Sequence, residues 1–199
     1  MELAGNYEQT KIAFQTMLGS EEQALRFLKE AETFANRTPF EFPELLDSNR
    51  LLLAFGFEAE KILDIMTVIG DTSSGLGAGA EGIERMSRAF GQMQAKGRVQ
   101  AEEMLQLQEV GVPAAQILQE ELGLTAQQVA DIGKQSLDVS TVIDALLTGM
   151  EKRFGGMMDA QSKTAKGMLS TIKDTFQYFA SHVGRGALGW NETPIGKAD

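Results

Sequence analysis

The sequence predicts an all-α fold, a compact bundle of about eight to ten short amphipathic helices joined by glycine- and proline-punctuated turns. Three observations predict it. Apolar residues recur three and four positions apart along most of the chain, while alternation of period two is nearly absent. The 21 glycines fall mostly where those stripes end. Helix-starting residues stand just ahead of several stripes. Unbroken heptads are missing, which argues for a folded-back bundle over a long coiled coil.

Each element follows in order. Ser20 is placed to cap a helix carrying Ala24, Phe27, Leu28, Ala31, Phe34 and Ala35, with Gln23 three residues on. Thr38 predicts the next start, with Pro39 at the first helical position, Phe40 after it and Glu41 as the capping-box carboxylate. Pro43 marks a further start, and Gly56 ends that segment. Ala59, Ile62, Leu63, Met66 and Ile69 form a stripe that Gly70 and Asp71 close. Ile83, Met86, Phe90 and Met93 form another, ended by Gly97. Gly111 and Pro113 precede a short helix with Ala114, Ile117, Leu118 and Leu122, ended by Gly123. Thr125 caps the next, and Asp138 caps a longer one from Val139 to Phe154, broken by Gly155 and Gly156. The last stripe runs through Met168, Leu169, Ile172, Phe176, Phe179 and Val183. Thr38, Pro39, Phe40, Gly56, Gly70, Asp71, Gly111, Pro113, Gly155 and Gly156 are therefore the candidate fold-fixing positions. The run S-S-G-L-G-A-G at 73–79 reads as a flexible linker between helical subdomains at 1–72 and 80–183, with a loose tail at 184–199.

Composition narrows the chemistry. Hydrophobic content of 43% and charged content of 23% belong to a folded chain. There is no cysteine, hence no disulfide or thiolate, and one histidine, His182, too few for a histidine metal cluster. The net charge of −10 opposes binding to a nucleic-acid backbone, which takes clustered Lys and Arg. The acid excess ends near residue 150, beyond which 7 bases face 5 acids. No signal peptide and no apolar run long enough to span a bilayer is visible, so no membrane contact is expected.

Several motifs compete with a purely structural reading. Gly77, Gly79 and Gly82 match G-x-G-x-x-G, but no strand precedes them, so a helix–helix joint is the better reading. Residues 122–147 resemble a helix-turn-helix, with Thr125 starting the first helix and the segment from Val139 as the recognition helix. A DNA-binding regulator is thus the alternative function. Local charge opposes it, since Lys134 stands alone against Glu120, Glu121, Asp131, Asp138 and Asp144. Ser170 and Lys173 match S-x-x-K without the companion motifs of penicillin-binding enzymes. Two glycosylation sequons, at Asn36 and Asn191, carry little weight without a secretion signal. No catalytic, cofactor-binding or metal-ligating residues are assigned, and an enzyme is not expected.

A set of short marks recurs in a suggestive order: F-A-N-R-T-P-F-E at Phe34–Glu41, L-L-A-F-G at Leu52–Gly56, I-G-D at Ile69–Asp71, A-F-G-Q-M-Q-A-K-G-R at Ala89–Arg98, Q-E-V-G-V-P-A at Gln108–Ala114, M-E-K-R-F-G-G-M-M at Met150–Met158 and Q-S-K-T-A-K-G-M-L-S-T-I-K-D at Gln161–Asp174. Together they resemble the tape measure domain of bacteriophage tail tape measure proteins, over roughly residues 5 to 180. The resemblance implies a non-enzymatic phage or prophage structural module, a domain of a longer chain, acting in tail assembly and tail length determination. The implied partners are tail tube, tail tip or tail assembly chaperone proteins, with self-association among the options, and no cofactor. The implied location is the virion tail, and the host cytoplasm during assembly.

Overall fold

The protein is described by a computed structural model covering residues 2–164 apart from Ser136. The stripe at 168–183, Ser170, Lys173, His182, the sequon at Asn191 and the tail at 184–199 lie outside the described residues. The described residues are helical with no strand among them. In chain order the helices are α1 (Glu2–Leu18), α2 (Glu21–Ala35), α3 (Phe42–Ala54), α4 (Ala59–Leu76), α5 (Gly79–Lys96), α6 (Ala101–Val110), α7 (Ala114–Leu122), α8 (Ala126–Ala130) and α9 (Val139–Phe154). A single 3-10 turn at Ile132–Lys134 follows α8, and a further helical stretch begins at residue 157.

Met1–Ser162 form one compact unit. Its centre is α4 and α5: α5 packs against α3, α4 and α6, while α4 packs against α3, α5 and α9. Leu45 and Leu52 of α3, Ile62, Met66 and Ile69 of α4, Met86 and Phe90 of α5, Leu107 of α6, Ile117 of α7 and Leu146 of α9 meet there with no exposed surface. Each comes from a stripe of three- and four-residue spacing, so the helical period itself gathers the core. At the edge, Phe14 of α1 stacks on Phe27 of α2 with ring centroids 5.3 Å apart.

Several caps form as the sequence predicts. Ser20 Oγ accepts the Gln23 amide at 3.0 Å. Thr125 and Gln128 close a reciprocal capping box, with bonds of 3.2 and 2.8 Å. Asp138 accepts the Thr141 amide at 3.1 Å. Thr125→Ala removes one of these caps and is expected to cost about 1 kcal/mol in a urea titration.

Three positions differ from the sequence expectation. Thr38 starts no helix; α3 begins at Phe42 behind Glu41, whose amide donates to Glu44 Oε2 at 3.2 Å. A helix starting at Thr38 would place Pro43 inside it, where the ring has no N–H to return to the preceding turn. Thr38 serves the end of α2 instead: its hydroxyl donates to Ala35 O at 3.1 Å and accepts the Phe40 amide at 3.4 Å. Nor does Gly70 end a helix. It lies within α4, which continues six residues to Leu76 and stops at Gly77. The stretch 73–79 is accordingly the last turn of α4, its cap and the first residue of α5, with Ser73 fully buried and donating to Gly79 O at 2.5 Å.

Gly56 does close α3. The Phe57 amide reaches back to Leu52 O at 3.2 Å and the Gly56 amide to Leu53 O at 3.0 Å, the two bonds of a Schellman turn, with Gly56 at φ +92°. Gly56→Val is expected to destabilise the fold by about 1 kcal/mol or more, read as a lower melting temperature.

Candidate functional site

The most tightly determined constellation of polar and small residues lies along the second half of α4. Towards its end it carries Gly70, Asp71, Thr72 and Ser73, all buried, where the buried residues of the preceding turns, Ile62, Ile65, Met66 and Ile69, are apolar. Such a run is unfavourable in isolation, because a buried carboxylate needs partners. Asp71, 7% exposed, finds two: Oδ2 accepts the Gly156 amide and Oδ1 the Met158 amide, each at 2.8 Å. Those amides open the helical stretch at residue 157, where Ala160 N donates back to Gly156 O at 3.1 Å. Asp71 therefore caps, from 85 residues away, a helix whose own cap position is a glycine without a side chain. The carboxylate also faces the positive end of that helix dipole.

The glycines make the approach possible. A Cβ at Gly70 would stand 2.3 Å from Met158 Sδ, and one at Gly75 2.8 Å from the Phe154 ring. Gly155 has its backbone so close to the end of α9 that a Cβ would meet Glu151 O at 2.7 Å, and Gly156 turns at φ +84°. Four of the ten sequence-chosen positions, Gly70, Asp71, Gly155 and Gly156, are thus brought together. Gly111 and Pro113 sit at the α6–α7 corner, where Gly111 backs onto Leu76, the last residue of α4. Thr38, Pro39 and Phe40 lie in the α2–α3 bend, and Gly56 at the end of α3.

Residues that the sequence did not single out complete the lock. A Cβ at Gly91 of α5 would stand 2.1 Å from the Phe55 ring, and one at Gly149 of α9 2.3 Å from Ile117 Cγ2 of α7. Both glycines sit mid-helix on a buried stripe, which is the one sequence signal that marks them. Glu103, fully buried, accepts the Gln100 amide at 2.9 Å and binds Lys96 Nζ, fixing the α5–α6 corner. The bond to Glu103 holds the Lys96 ammonium above its usual range. On the outside, Lys152 binds Glu121 at 2.7 Å and Arg153 binds Glu120, clamping α9 to α7. The Arg153 bond, then that from Gln116, lowers the Glu120 carboxyl below 4.5. Its share of stability is present above that pH and fades as acid titrates the folded-state carboxylate.

The rival motifs find no supporting context. Gly77 and Gly79 stand at the joint between α4 and α5, and Gly82, inside α5, packs against Ala78 Cβ and Ser73 Oγ. In the 122–147 segment, α8 spans only five residues and α9 buries Val142, Ile143, Leu146 and Met150. The outward face of α9 presents Thr141, Asp144, Thr148 and Glu151, and its two carboxylates would repel phosphate. Among the described residues no three His, Cys, Asp or Glu side chains gather to hold a metal, and no helix is long and apolar enough to cross a membrane.

The short marks noted along the sequence meet in pairs. L-L-A-F-G touches A-F-G-Q-M through Phe55 and Gly91; I-G-D touches R-F-G-G-M-M through Asp71 and residues 156–158. Comparison with known proteins agrees with that coherence. The sequence pattern described as tape measure protein matches residues 1–185. The Mu-like prophage FluMu protein gp42 of Haemophilus influenzae is 28% identical over 181 residues, covering 87% of this chain and 27% of that protein. This chain thus spans about a quarter of that relative's length. No solved structure matches.

Proposed function

Because the chain belongs to the tape measure protein family, we propose that it acts as a structural module of a phage tail, a globular part of a longer assembly protein that contributes to tail formation and tail length determination. The observation that carries this reading is the family match along residues 1–185, over a chain whose most constrained residues make caps and close helix contacts. A fully extended helix advances about 1.5 Å per residue and so can serve as a ruler. This unit, folded back at every glycine turn, adds little length, so its part is attachment through helix faces. The surfaces it would offer meet tail tube, tail tip or assembly chaperone proteins, in the host cytoplasm during assembly and in the virion tail afterwards. No step of covalent chemistry is assigned to it.

In-frame removal of residues 1–162 from the phage or prophage gene tests the reading, with tails examined by electron microscopy. Missing tails or tails of altered length are expected. Tails of unchanged number and length would overturn it.

A further inference from the structure

Two grooves of opposite charge lie side by side on one face of the compact unit, with α4 between them. The first, of about 630 Å³, runs between α4 and α9 over Ile65, Val68 and Leu147. Its rim carries Asp64, Asp144 and Glu151, all exposed and without an ion-pair partner among the described residues. Its one base, Lys61, binds Glu58 at 2.9 Å and lies within weaker electrostatic reach of Asp144. The second, of about 710 Å³, runs between α2 and α4 over Leu25, Phe34 and Leu63. There Arg26, Lys29 and Arg37 are exposed and equally unpaired, with Glu30 the acid on that rim besides Asp64. Asp64, on the α4 ridge, lines both.

We propose that these grooves are the two halves of a self-complementary interface, and that the occupant is a second copy of this chain related by a two-fold axis. In a two-fold contact a residue i off the axis meets j of the partner while j meets the partner's i, so two adjacent patches of opposite sign complement each other twice over. Asp144 and Glu151 stand only on the first groove and Arg26, Lys29 and Arg37 only on the second, so the excess charge of the two differs in sign although Glu30 and Asp64 line the second as well. Helix ridges also have grooves to enter: α2, with Leu25 43% exposed, fits the partner's α4–α9 groove, and the α4 ridge with Asp64 fits the partner's basic groove. Leu25 then meets Val68 and Leu147, and Arg26 and Lys29 meet Asp144 and Glu151. This inference stands on charge and shape and does not rest on the tail reading.

The test is sedimentation of the full chain with two sets of exposed charge reversals. Arg26→Glu with Lys29→Glu makes both grooves acidic; Asp144→Lys with Glu151→Lys makes both basic. Wild type is expected to dimerise, and each variant to dimerise on the order of tenfold more weakly or worse. An equimolar mixture of the two variants is expected to restore a dimer, because the reversed grooves then match. Circular dichroism confirms that each variant folds. A wild-type monomer at all concentrations, a dimer indifferent to both reversals, or a mixture that stays monomeric would overturn the proposal.

Discussion

Asp71→Ala is expected to destabilise the protein by about 3 kcal/mol, the largest loss from removing a single polar side chain. Hydrogen bonds to a charged group contribute about 1.5–3 kcal/mol each, and this carboxylate accepts two. The amide of Met158 would remain buried with nothing to bond. The loss reaches the core, because Met158 packs on Gly70 and is itself 6% exposed. Asp71→Asn keeps an acceptor for one amide and presents an unwanted donor to the other, so roughly half the loss is expected. Urea unfolding followed by circular dichroism checks both, with the slope against urea unchanged if the unfolded state is unaffected.

Gly149→Val is the second large effect, again about 3 kcal/mol. Here the obstacle is shape. Ile117 is fully buried, and its branched carbon lies 3.2 Å from where a Cβ on residue 149 would stand. A β-branched side chain in a helix has essentially one rotamer, so it cannot turn aside and α7 and α9 must part. Gly149→Ala gains about 1 kcal/mol of helix propensity against overpacking of about 1–3 kcal/mol, and so loses less. Pairing it with Ile117→Ala should recover part of the loss, a coupling that a double-mutant cycle reads directly. Gly70→Ala makes a useful contrast. Its Cβ would meet the thioether of Met158, a flexible chain that can move away, so a cost under about 1 kcal/mol is expected.

Much of the architecture was legible in the chain because its signals are local. Ser20, Thr125 and Asp138 cap helices through their own side chains within three residues, and Gly56, Gly97 and Gly123 end them. The helical period of α2, α4, α5 and α9 shows which side faces inward. Less legible were α1 and α6, whose apolar residues form no clean stripe; Ile12 and Leu105 are more than half exposed. Long-range contacts were the least legible. Gly70 and Asp71 look like a helix stop in isolation, and only Gly156 and Met158, 85 and 87 residues on, explain why a glycine and a buried acid lie inside a helix. The same applies to Gly91 and Gly149, whose reasons lie on α3 and α7. The family marks, by contrast, picked out both ends of such contacts without revealing that they touch.

Asp71 locks α4 and the turn after α9 into one cooperative unit. Native-state hydrogen exchange, read at the hydrogen-bonded amides of Gly156, Met158 and residues 71–74, tests this lock most directly. These amides are expected to exchange only at the rate set by unfolding of the whole unit. Exchange within seconds at these positions, with the α5 and α9 amides still protected, would contradict it.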